Sequence, residues 1–362
     1  MTLQPNLLQL YTAQTNYTMY GVSWIPNSAR ILSVGMASKG TGMISVWNFE
    51  NQKLIEQSRH EKQAALKCVS FGASLSPSRQ FATGDHDGNL FQFDIEHLQK
   101  PSWAQKAHQS MIYCVDGIGG RNPNQTGAPE VASGASDGFV KLWDFRQQNP
   151  VLELTASEDS ITKVQIDKDK YIRQTPECYC VALGGANSTS ERYLACGFDS
   201  GDFKLVDLRM MKVCYERHFA NGIVSADFDR ADGRLNIVVL GCLEGHIYSM
   251  DFSNGFEQPA VVDYKLPESS TVWQIRHSLG NRDSFMASYS NKLHLFKYDY
   301  PGDRVVDGKT IGGKIVPVCD AMVGTQTCPS VGWSREKNGL IAWGSMDQTV
   351  NVGFVTNMKQ LE

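Results

Sequence analysis

One short motif recurs seven times along this 362-residue chain, and the repetition limits the possible folds more than any other feature. In the clearest copies, two apolar segments flank a turn in which Asp or Glu stands close to Gly. The copies occupy residues 84–94, 134–144, 197–207 and 241–251, with weaker copies at 42–48, 288–297 and 344–354. A period of about 45 residues is typical of proteins that stack copies of one supersecondary unit.

Each copy of the motif has the hydrophobic pattern of a β-hairpin. Its turn tolerates positive φ angles, and the segment after it alternates, so that Val140 and Leu142 face one side and Trp143 the other. A further apolar segment precedes every copy, and a fourth short one follows most of them. Four strands in each of seven repeats predict an all-β fold, a seven-bladed β-propeller of the WD-repeat type that forms a single domain over residues 1–362.

The last repeat lacks a fourth strand of its own. Its third strand is predicted at residues 349–355, and the few residues after it are largely polar. Residues 6–12 precede the first repeat and belong to no other predicted element. We therefore predict that this N-terminal strand closes the ring by pairing with residues 349–355, which removes an open sheet edge. The alternative is a helix, which the leucines of the segment would also suit.

Charge and cysteine content point to a cytoplasmic protein that binds neither nucleic acid nor membranes. The formal net charge is −4, which argues against a broad basic surface. No segment approaches the run of about 18 apolar residues that a spanning helix needs. Arg30 is the first charged residue, so the start lacks the basic region of a secretory signal. The nine cysteines form no Cys-x-x-Cys pair, and we interpret them as reduced thiols in the core.

The motifs that could carry chemistry have simpler structural interpretations. Residues 134–138 match Gly-x-Ser-x-Gly, but a nucleophile elbow needs a strand followed by a helix, and here two strands flank the match. Residues 85–87 read Asp-His-Asp, yet they occupy the tight turn of the second repeat. The histidines show no spacing typical of a metal site. We therefore predict no catalytic, cofactor-binding or metal-binding residue and no enzymatic activity.

One polar constellation predicts a structural network in the third repeat. His108 precedes the first strand of that repeat, Ser133 lies on the second, Asp137 in the turn and Trp143 on the third. This is the spacing of the hydrogen-bonded His-Ser-Asp-Trp network of WD repeats. It would satisfy buried polar groups and fix the geometry of the blade.

Two inserts interrupt the regular spacing. Residues 155–177 are rich in charge, and residues 299–313 are rich in Gly. Loops of this length in a compact domain are either functional or disordered. We expect residues 155–177 to share a face with the turns at 85–87, 135–137 and 198–199 and to contact partners there. Aromatic and Arg side chains dominate interface energetics, so Tyr171 and Arg173 are the candidate anchors. A solvated flexible loop is the alternative.

A second candidate contact lies on the opposite rim of the ring. Trp143, Asp144 and Arg146 form a Trp-Asp-x-Arg box, with which some WD-repeat substrate receptors dock on the adaptor of a cullin-type ubiquitin ligase. Arg209 occupies the equivalent place in the next repeat. The alternative is that this Arg bonds locally to Asp144 or to backbone carbonyls.

Several stretches outside the repeat motifs resemble one family, the WD-repeat proteins known as Monad, which are axonemal dynein assembly factors. They follow in order along nearly the whole chain, at residues 40–44, 116–120, 127–130, 137–147, 221–224, 270–277, 298–301 and 347–350. The linker-type pieces, such as residues 116–120, are more specific than the repeats. The chain departs from the family pattern in its longer insert at residues 155–177 and a less Gly-rich turn at residues 288–292.

The resemblance implies a cytoplasmic adaptor that is not an enzyme. We also expect a monomer that needs no cofactor. It also implies protein partners: a co-chaperone complex with RuvB-like ATPases, a tetratricopeptide protein and prefoldin-like subunits, and axonemal dynein chains. Such an adaptor would serve the assembly of cilia or flagella. The alternative function is that of a substrate receptor of a cullin-type ubiquitin ligase, with Arg146 and Arg209 as the docking feature.

Overall fold

The seven repeats form seven four-stranded antiparallel sheets in the computed structural model, and this confirms the predicted β-propeller. The structure describes residues 4–51, 53–73, 79–117, 130–167, 170–185 and 191–361, and the side chains of residues 162–167 and 170–173 lie outside this description. Each sheet is one blade. The first strands of the blades line a central channel with a cavity of about 760 Å³, and the fourth strands lie at the outer rim.

The strands follow the chain blade by blade, except that the first one belongs to the last blade. Strand β1 comprises Leu7–Gln14. Blade one contains β2 (Tyr17–Trp24), β3 (Ile31–Ala37), β4 (Gly42–Glu50) and β5 (Lys53–Lys62). Blade two contains β6 (Leu66–Ser70), β7 (Gln80–Asp85), β8 (Asn89–Asp94) and β9 (Trp103–Lys106). Blade three contains β10 (Ile112–Gly117), β11 (Glu130–Ala135), β12 (Val140–Asp144) and β13 (Leu152–Leu154).

An extra hairpin precedes blade four, and another lies within blade six. The first hairpin is β14 (Thr162–Asp167) and β15 (Lys170–Gln174). Blade four contains β16 (Cys178–Gly184), β17 (Tyr193–Phe198), β18 (Asp202–Asp207) and β19 (Lys212–His218), and blade five β20 (Ile223–Phe228), β21 (Ile237–Cys242), β22 (His246–Asp251) and β23 (Ala260–Lys265). Blade six contains β24 (Val272–His277), β25 (Ser284–Tyr289), β26 (Lys292–Asp299), the hairpin β27 (Val305–Val306) and β28 (Lys309–Thr310), and β29 (Lys314–Met322). Blade seven contains β30 (Ser330–Trp333), β31 (Leu340–Ser345), β32 (Thr349–Val355) and β1.

Helical structure is limited to short 3₁₀ turns in the described part of the chain. They comprise Phe71–Ala73, Glu158–Ser160, Leu243–Gly245 and Met358–Leu361. Among the described residues, no helix has the length and apolar character needed to cross a membrane.

Strand β1 closes the ring, as predicted. It runs antiparallel to β32, with Leu7 opposite Val355 and Gln14 opposite Thr349. Leu7 is buried in a cluster of side chains from blades six and seven that includes Trp343, whereas the leucines that follow it are exposed. The alternation of a strand at the edge of a sheet therefore explains the leucine content that would also suit a helix.

The core of the protein lies between the blades. Trp143 of blade three packs with Leu90 of blade two in one buried cluster. Tyr17 of blade one packs with Val350 of blade seven in another, so the junction closed by β1 is built like the others. Because the two faces of most blades are covered by neighbouring blades, their second and third strands are almost continuously buried.

Polar side chains on the first strands also connect neighbouring blades around the channel. The Ser225 Oγ accepts a hydrogen bond from the Ile275 N–H at 2.9 Å. The Ser330 Oγ accepts one from the Val22 N–H at 3.0 Å, across the junction of blades seven and one. The Asp116 carboxylate accepts one from the backbone of blade four. These bonds satisfy N–H groups that would otherwise face the channel.

Both inserts contain β-hairpins, which corrects the expectation of long loops. In the first, Val164 lies opposite Ile172 in the register of β14 and β15. In the second, the turn at Asp307 and Gly308 has positive φ angles of 49° and 77°. Apolar and polar residues alternate along 162–167 in the sequence, but the many charges hide this period of two. Within each short hairpin, the two strands pair backbone N–H and C=O groups with each other.

Candidate protein-binding site

The antiparallel strand order gives the ring two distinct faces. The upper face carries the turns between second and third strands and the connections from the outer strand of one blade to the inner strand of the next. The lower face carries the turns between first and second strands and those between third and fourth strands. Residues 155–177 belong to the upper face, and Arg146 and Arg209 follow third strands on the lower face.

The structure brings the four residues of the predicted network together in blade three. The His108 Nδ1 lies 3.1 Å from an Asp137 carboxylate oxygen, and its Nε2 lies 2.8 Å from the Ser133 Oγ. The Trp143 Nε1–H donates to the same Ser133 oxygen at 2.8 Å. His108, Ser133 and Trp143 are buried, so the chain of bonds pairs groups that water cannot reach.

Asp137 connects this network to the turn on the upper face. Its carboxylate accepts hydrogen bonds from the Gln109 N–H at 2.9 Å and the Phe139 N–H at 3.1 Å. Burial acts to raise the pKa of Asp137, but the bonds from His108 and from these two backbone groups outweigh it and lower the pKa. The carboxylate is therefore held in its ionised form, in which it accepts all of these bonds.

Gly138 shows how tightly the turn is covered by the end of the first insert. Its φ of 80° is a conformation that L side chains rarely adopt, and a Cβ there would lie 2.4 Å from the Thr175 Oγ1. The Thr175 Oγ1 donates to the Asp137 carbonyl at 2.8 Å. Glycine is therefore required both by the backbone conformation of the turn and by the close packing of Thr175.

Blade one contains a related network that the repeat pattern did not predict. The Trp47 Nε1–H donates to the Ser33 Oγ at 2.7 Å, and the Tyr17 hydroxyl lies 2.7 Å from the same oxygen. Tyr17 thus takes the place of the His. The available signal was the pair of Ser33 and Trp47, which stand 14 residues apart instead of 10 because they lie further from a turn of the same length.

The end of the first insert packs on the upper-face turns of blades three and four. The Ser136 Oγ donates to the Glu177 carboxylate at 2.6 Å, and the Asp199 N–H donates to the Glu177 carbonyl at 3.0 Å. The predicted anchors lie on β15, where Tyr171 pairs with Gln165 and Arg173 with Lys163 through the backbone. Their side chains lie outside the described part of the structure, so their role as anchors stays a prediction.

On the lower face, Arg146 forms the local pair that was the alternative to docking. Its Nε–H donates to one Asp144 oxygen at 2.8 Å and a terminal N–H donates to the other at 2.6 Å. This bond holds the pKa of Asp144 below its usual value. The side chain of Arg146 is nevertheless 69% exposed, whereas that of Asp144 is 5% exposed. The pairing orients the guanidinium at the surface.

Arg209 begins the equivalent turn of blade four. Its backbone N–H donates to the Asp207 carboxylate at 2.8 Å, as that of Arg146 donates to Asp144 at 3.0 Å. The two turns therefore start alike on consecutive blades. Met210, the next residue, is 64% exposed.

The motifs that resemble catalytic or metal sites lie in turns of the repeats, where their side chains form local hydrogen bonds. Ser136 stands between two strands and bonds to Glu177. The Asp85 carboxylate accepts the Asn89 N–H at 2.7 Å, which fixes the turn of blade two. In the described ranges, no cluster of three or more His, Cys, Asp or Glu could hold a metal ion. The cysteines are free thiols, and burial raises the pKa of Cys196 to about 12.

Six of the first strands carry a β-bulge at the same position, close to the upper mouth of the channel. A bulge leaves one residue unpaired and re-aims its side chain. The unpaired residues are half-buried, all line the channel cavity, and are Tyr20, Lys67, Tyr113, Tyr179, Val224 and Trp273. The upper mouth is thus rich in aromatic side chains.

Comparisons with known proteins find similarity to one repeat-family model and to one group of curated relatives. The family model "WD domain, G-beta repeat" matches residues 99–144, which end with the third strand of blade three. Curated relatives named "Dynein axonemal assembly factor 10" match over nearly the whole length. That of Xenopus laevis is 37% identical over 99% of this chain and 98% of its own. Those of Homo sapiens and Chlamydomonas reinhardtii are 35% and 33% identical, each over 99% of both chains.

Proposed function

This chain belongs to the dynein axonemal assembly factor 10 family, and from that membership we infer that it is a WD-repeat scaffold acting in axonemal dynein assembly. The observation that carries the inference is identity of 33–37% with these relatives across practically the whole chain. A closed ring of seven blades with two loop-bearing faces suits a protein that holds others together. The chain acts through its surfaces and catalyses no reaction.

The proposed partners are axonemal dynein chains and a co-chaperone complex with RuvB-like ATPases and prefoldin-like subunits. Support comes from the family resemblance of the sequence and from the names of the relatives. Binding takes place in the cytoplasm, where dynein arms are assembled before they reach the cilium or flagellum. We propose that the free protein is a monomer in which β1 completes the last blade.

Complementation tests the assembly role. The chain is expressed in a Chlamydomonas reinhardtii strain that lacks its own relative, and dynein arms are counted in electron micrographs of the axonemes. We expect partial or full recovery of the arms. Affinity purification from the same cells, followed by mass spectrometry, should recover dynein heavy chains and co-chaperone subunits. A stably expressed chain that restores no arms would contradict the proposal.

A substrate receptor of a cullin-type ubiquitin ligase is the second candidate. It is favoured by the exposed Arg146 of the Trp-Asp-x-Arg box and by the similar start of the turn at Arg209. The same purification separates the two functions. Recovery of a cullin and its adaptor, abolished by Arg146→Ala and Arg209→Ala, would favour the ligase.

A further inference from the structure

We propose that the upper mouth of the channel, between blades three and four, binds a basic side chain of a protein partner. The contacting residues are Tyr113, Tyr179, Glu177 and Asp199. The inference deepens the proposed function and rests on it, because it assigns a docking site and a ligand chemistry to the scaffold.

The aromatic part of this site consists of two bulge residues on neighbouring blades. The rings of Tyr113 and Tyr179 meet edge to face, with centroids 4.9 Å apart and planes at 90°. Both side chains are half-buried and line the channel cavity. A cation is attracted to the face of a tyrosine ring, and more strongly where water is partly excluded.

The acidic part of the site is held in place by the scaffold. The Glu177 carboxylate accepts hydrogen bonds from the Tyr113 hydroxyl at 2.9 Å and from the Ser136 hydroxyl at 2.6 Å. A carboxylate offers about four acceptor positions, so these two bonds fix its orientation and leave capacity for a donor from a ligand. The backbone bond from Asp199 to Glu177 keeps the second acidic residue next to the first.

The two carboxylates repel each other in a partly buried place. Burial and the charge of Glu177 raise the pKa of Asp199. Burial, followed by the charges of Glu177 and Asp199, raises the pKa of Tyr179 to about 12. Burial is the larger cause of both shifts, and the smaller contribution from neighbouring carboxylates is the one that a bound cation would relieve.

The described side chains supply no counter-ion for this pair. Among them, no Lys or Arg forms an ion pair with Glu177 or Asp199. Lys67, the basic residue among the bulge positions, lies over the ring of Tyr20 at 4.3 Å, on the side of blades one and two. Among the described side chains, the mouth is therefore acidic at blades three and four, and charge complementarity favours a Lys or Arg side chain as the occupant.

Fluorine NMR of the full chain labelled with 3-fluorotyrosine tests the site directly. The probes are acetyl-Gly-Arg-Gly-amide and the same peptide with neutral citrulline in place of Arg. We expect the Tyr113 and Tyr179 signals, assigned from Tyr→Phe variants, to move saturably with the arginine peptide only. Glu177→Gln keeps the shape of the side chain: its amide oxygen still accepts from one hydroxyl, and its NH2 group donates to the other, which then acts as acceptor. It should weaken binding about tenfold, the effect of one charge-assisted hydrogen bond.

Glu268→Gln is the matched control. It makes the same change on the same face, but Glu268 pairs with Lys292 and lies in another blade connection. The proposal is wrong if the arginine peptide moves neither signal, if citrulline acts equally, or if folded Glu177→Gln binds like the parent. It is also wrong if binding appears only after residues 162–174 are replaced by Gly and Ser, because the occupant is then the chain's own hairpin.

Complementation separates this inference from the proposed function. A Glu177→Gln chain that neither binds the peptide nor restores dynein arms would support both. A parent chain that restores the arms without binding the arginine peptide would overturn the site alone. Failure of the parent chain to restore arms would count against the scaffold role, whatever the peptide does.

Discussion

Trp143 is held by packing and by a hydrogen bond, and the two contributions can be separated. The ring is 1% exposed and packs between blades two and three. Trp143→Ala should lower the free energy of unfolding by about 3–5 kcal/mol, because it leaves a large cavity. Trp143→Phe should cost about 1–2 kcal/mol, because it keeps most of the packing and loses the bond to Ser133. Urea unfolding measures both, and equal stability of all three proteins would contradict the network.

The pKa of Asp137 predicts a loss of stability in acid. Its pKa is lowered in the folded state, so its ionised form stabilises the fold fully above the unfolded value, near 3.9. That contribution is lost as the pH falls through the folded value. The free energy of unfolding of the parent should therefore exceed that of Asp137→Asn by a constant amount from about pH 5 upward. This difference in free energy should shrink below about pH 4. A difference that is unchanged at pH 3 would contradict this.

Residue patterns predicted the polar network only where the motif was complete. His108, Ser133, Asp137 and Trp143 stand at the expected spacing, and the structure brings them into contact. Tyr17 escaped prediction because a phenol replaces the imidazole and because it lies within the first strand of its blade, whereas His108 precedes that strand. The site at the channel mouth also escaped it, because bulges are features of pairing register and leave little trace in one sequence.

At the scale of elements, β1 should be required for a soluble ring. Deleting residues 1–14 would expose the edge of β32 and uncover the cluster around Trp343. Free edges pair with other chains. We therefore expect aggregation or a fall of several degrees in the thermal midpoint, measured by light scattering and circular dichroism.

A peptide can test whether pairing itself is responsible. Residues 4–16, added to the shortened chain, should restore solubility by taking the place of β1. The matched control is the same peptide with Leu7→Asp, which places a charge in the buried cluster. A shortened chain that stays monomeric with an unchanged midpoint would show that β1 is dispensable.

The period of two in the repeats predicted the blade strands, and the same rule failed in the first insert for a physical reason. Strands inside a blade are marked by buried apolar residues on both faces. The hairpin of β14 and β15 belongs to no blade and alternates weakly among charged residues. The hairpin depends on backbone pairing between its two strands, which the number of charged residues in the insert does not reveal.

At the scale of the whole molecule, the ring acts as one platform with two unlike faces. Neighbouring blades share buried clusters and backbone-to-side-chain bonds, including those across the junction that β1 closes. The upper face carries the insert, the aromatic mouth of the channel and, next to Tyr113, the acidic pair Glu177 and Asp199, and the lower face carries Arg146. Because the two faces are held rigidly, changes on one should leave binding on the other intact.

The last prediction concerns which face binds the assembly partners. Thr162 and Gln174 are paired across the hairpin, so a linker of about three Gly and Ser residues can replace residues 162–174 without moving Thr175 or Glu177. We expect this variant to lose partners in affinity purification while its thermal midpoint stays unchanged. Arg146→Ala, on the lower face, should keep them. If the hairpin variant keeps every partner and Arg146→Ala loses them, binding occurs on the lower rim, where the ligase interpretation places it.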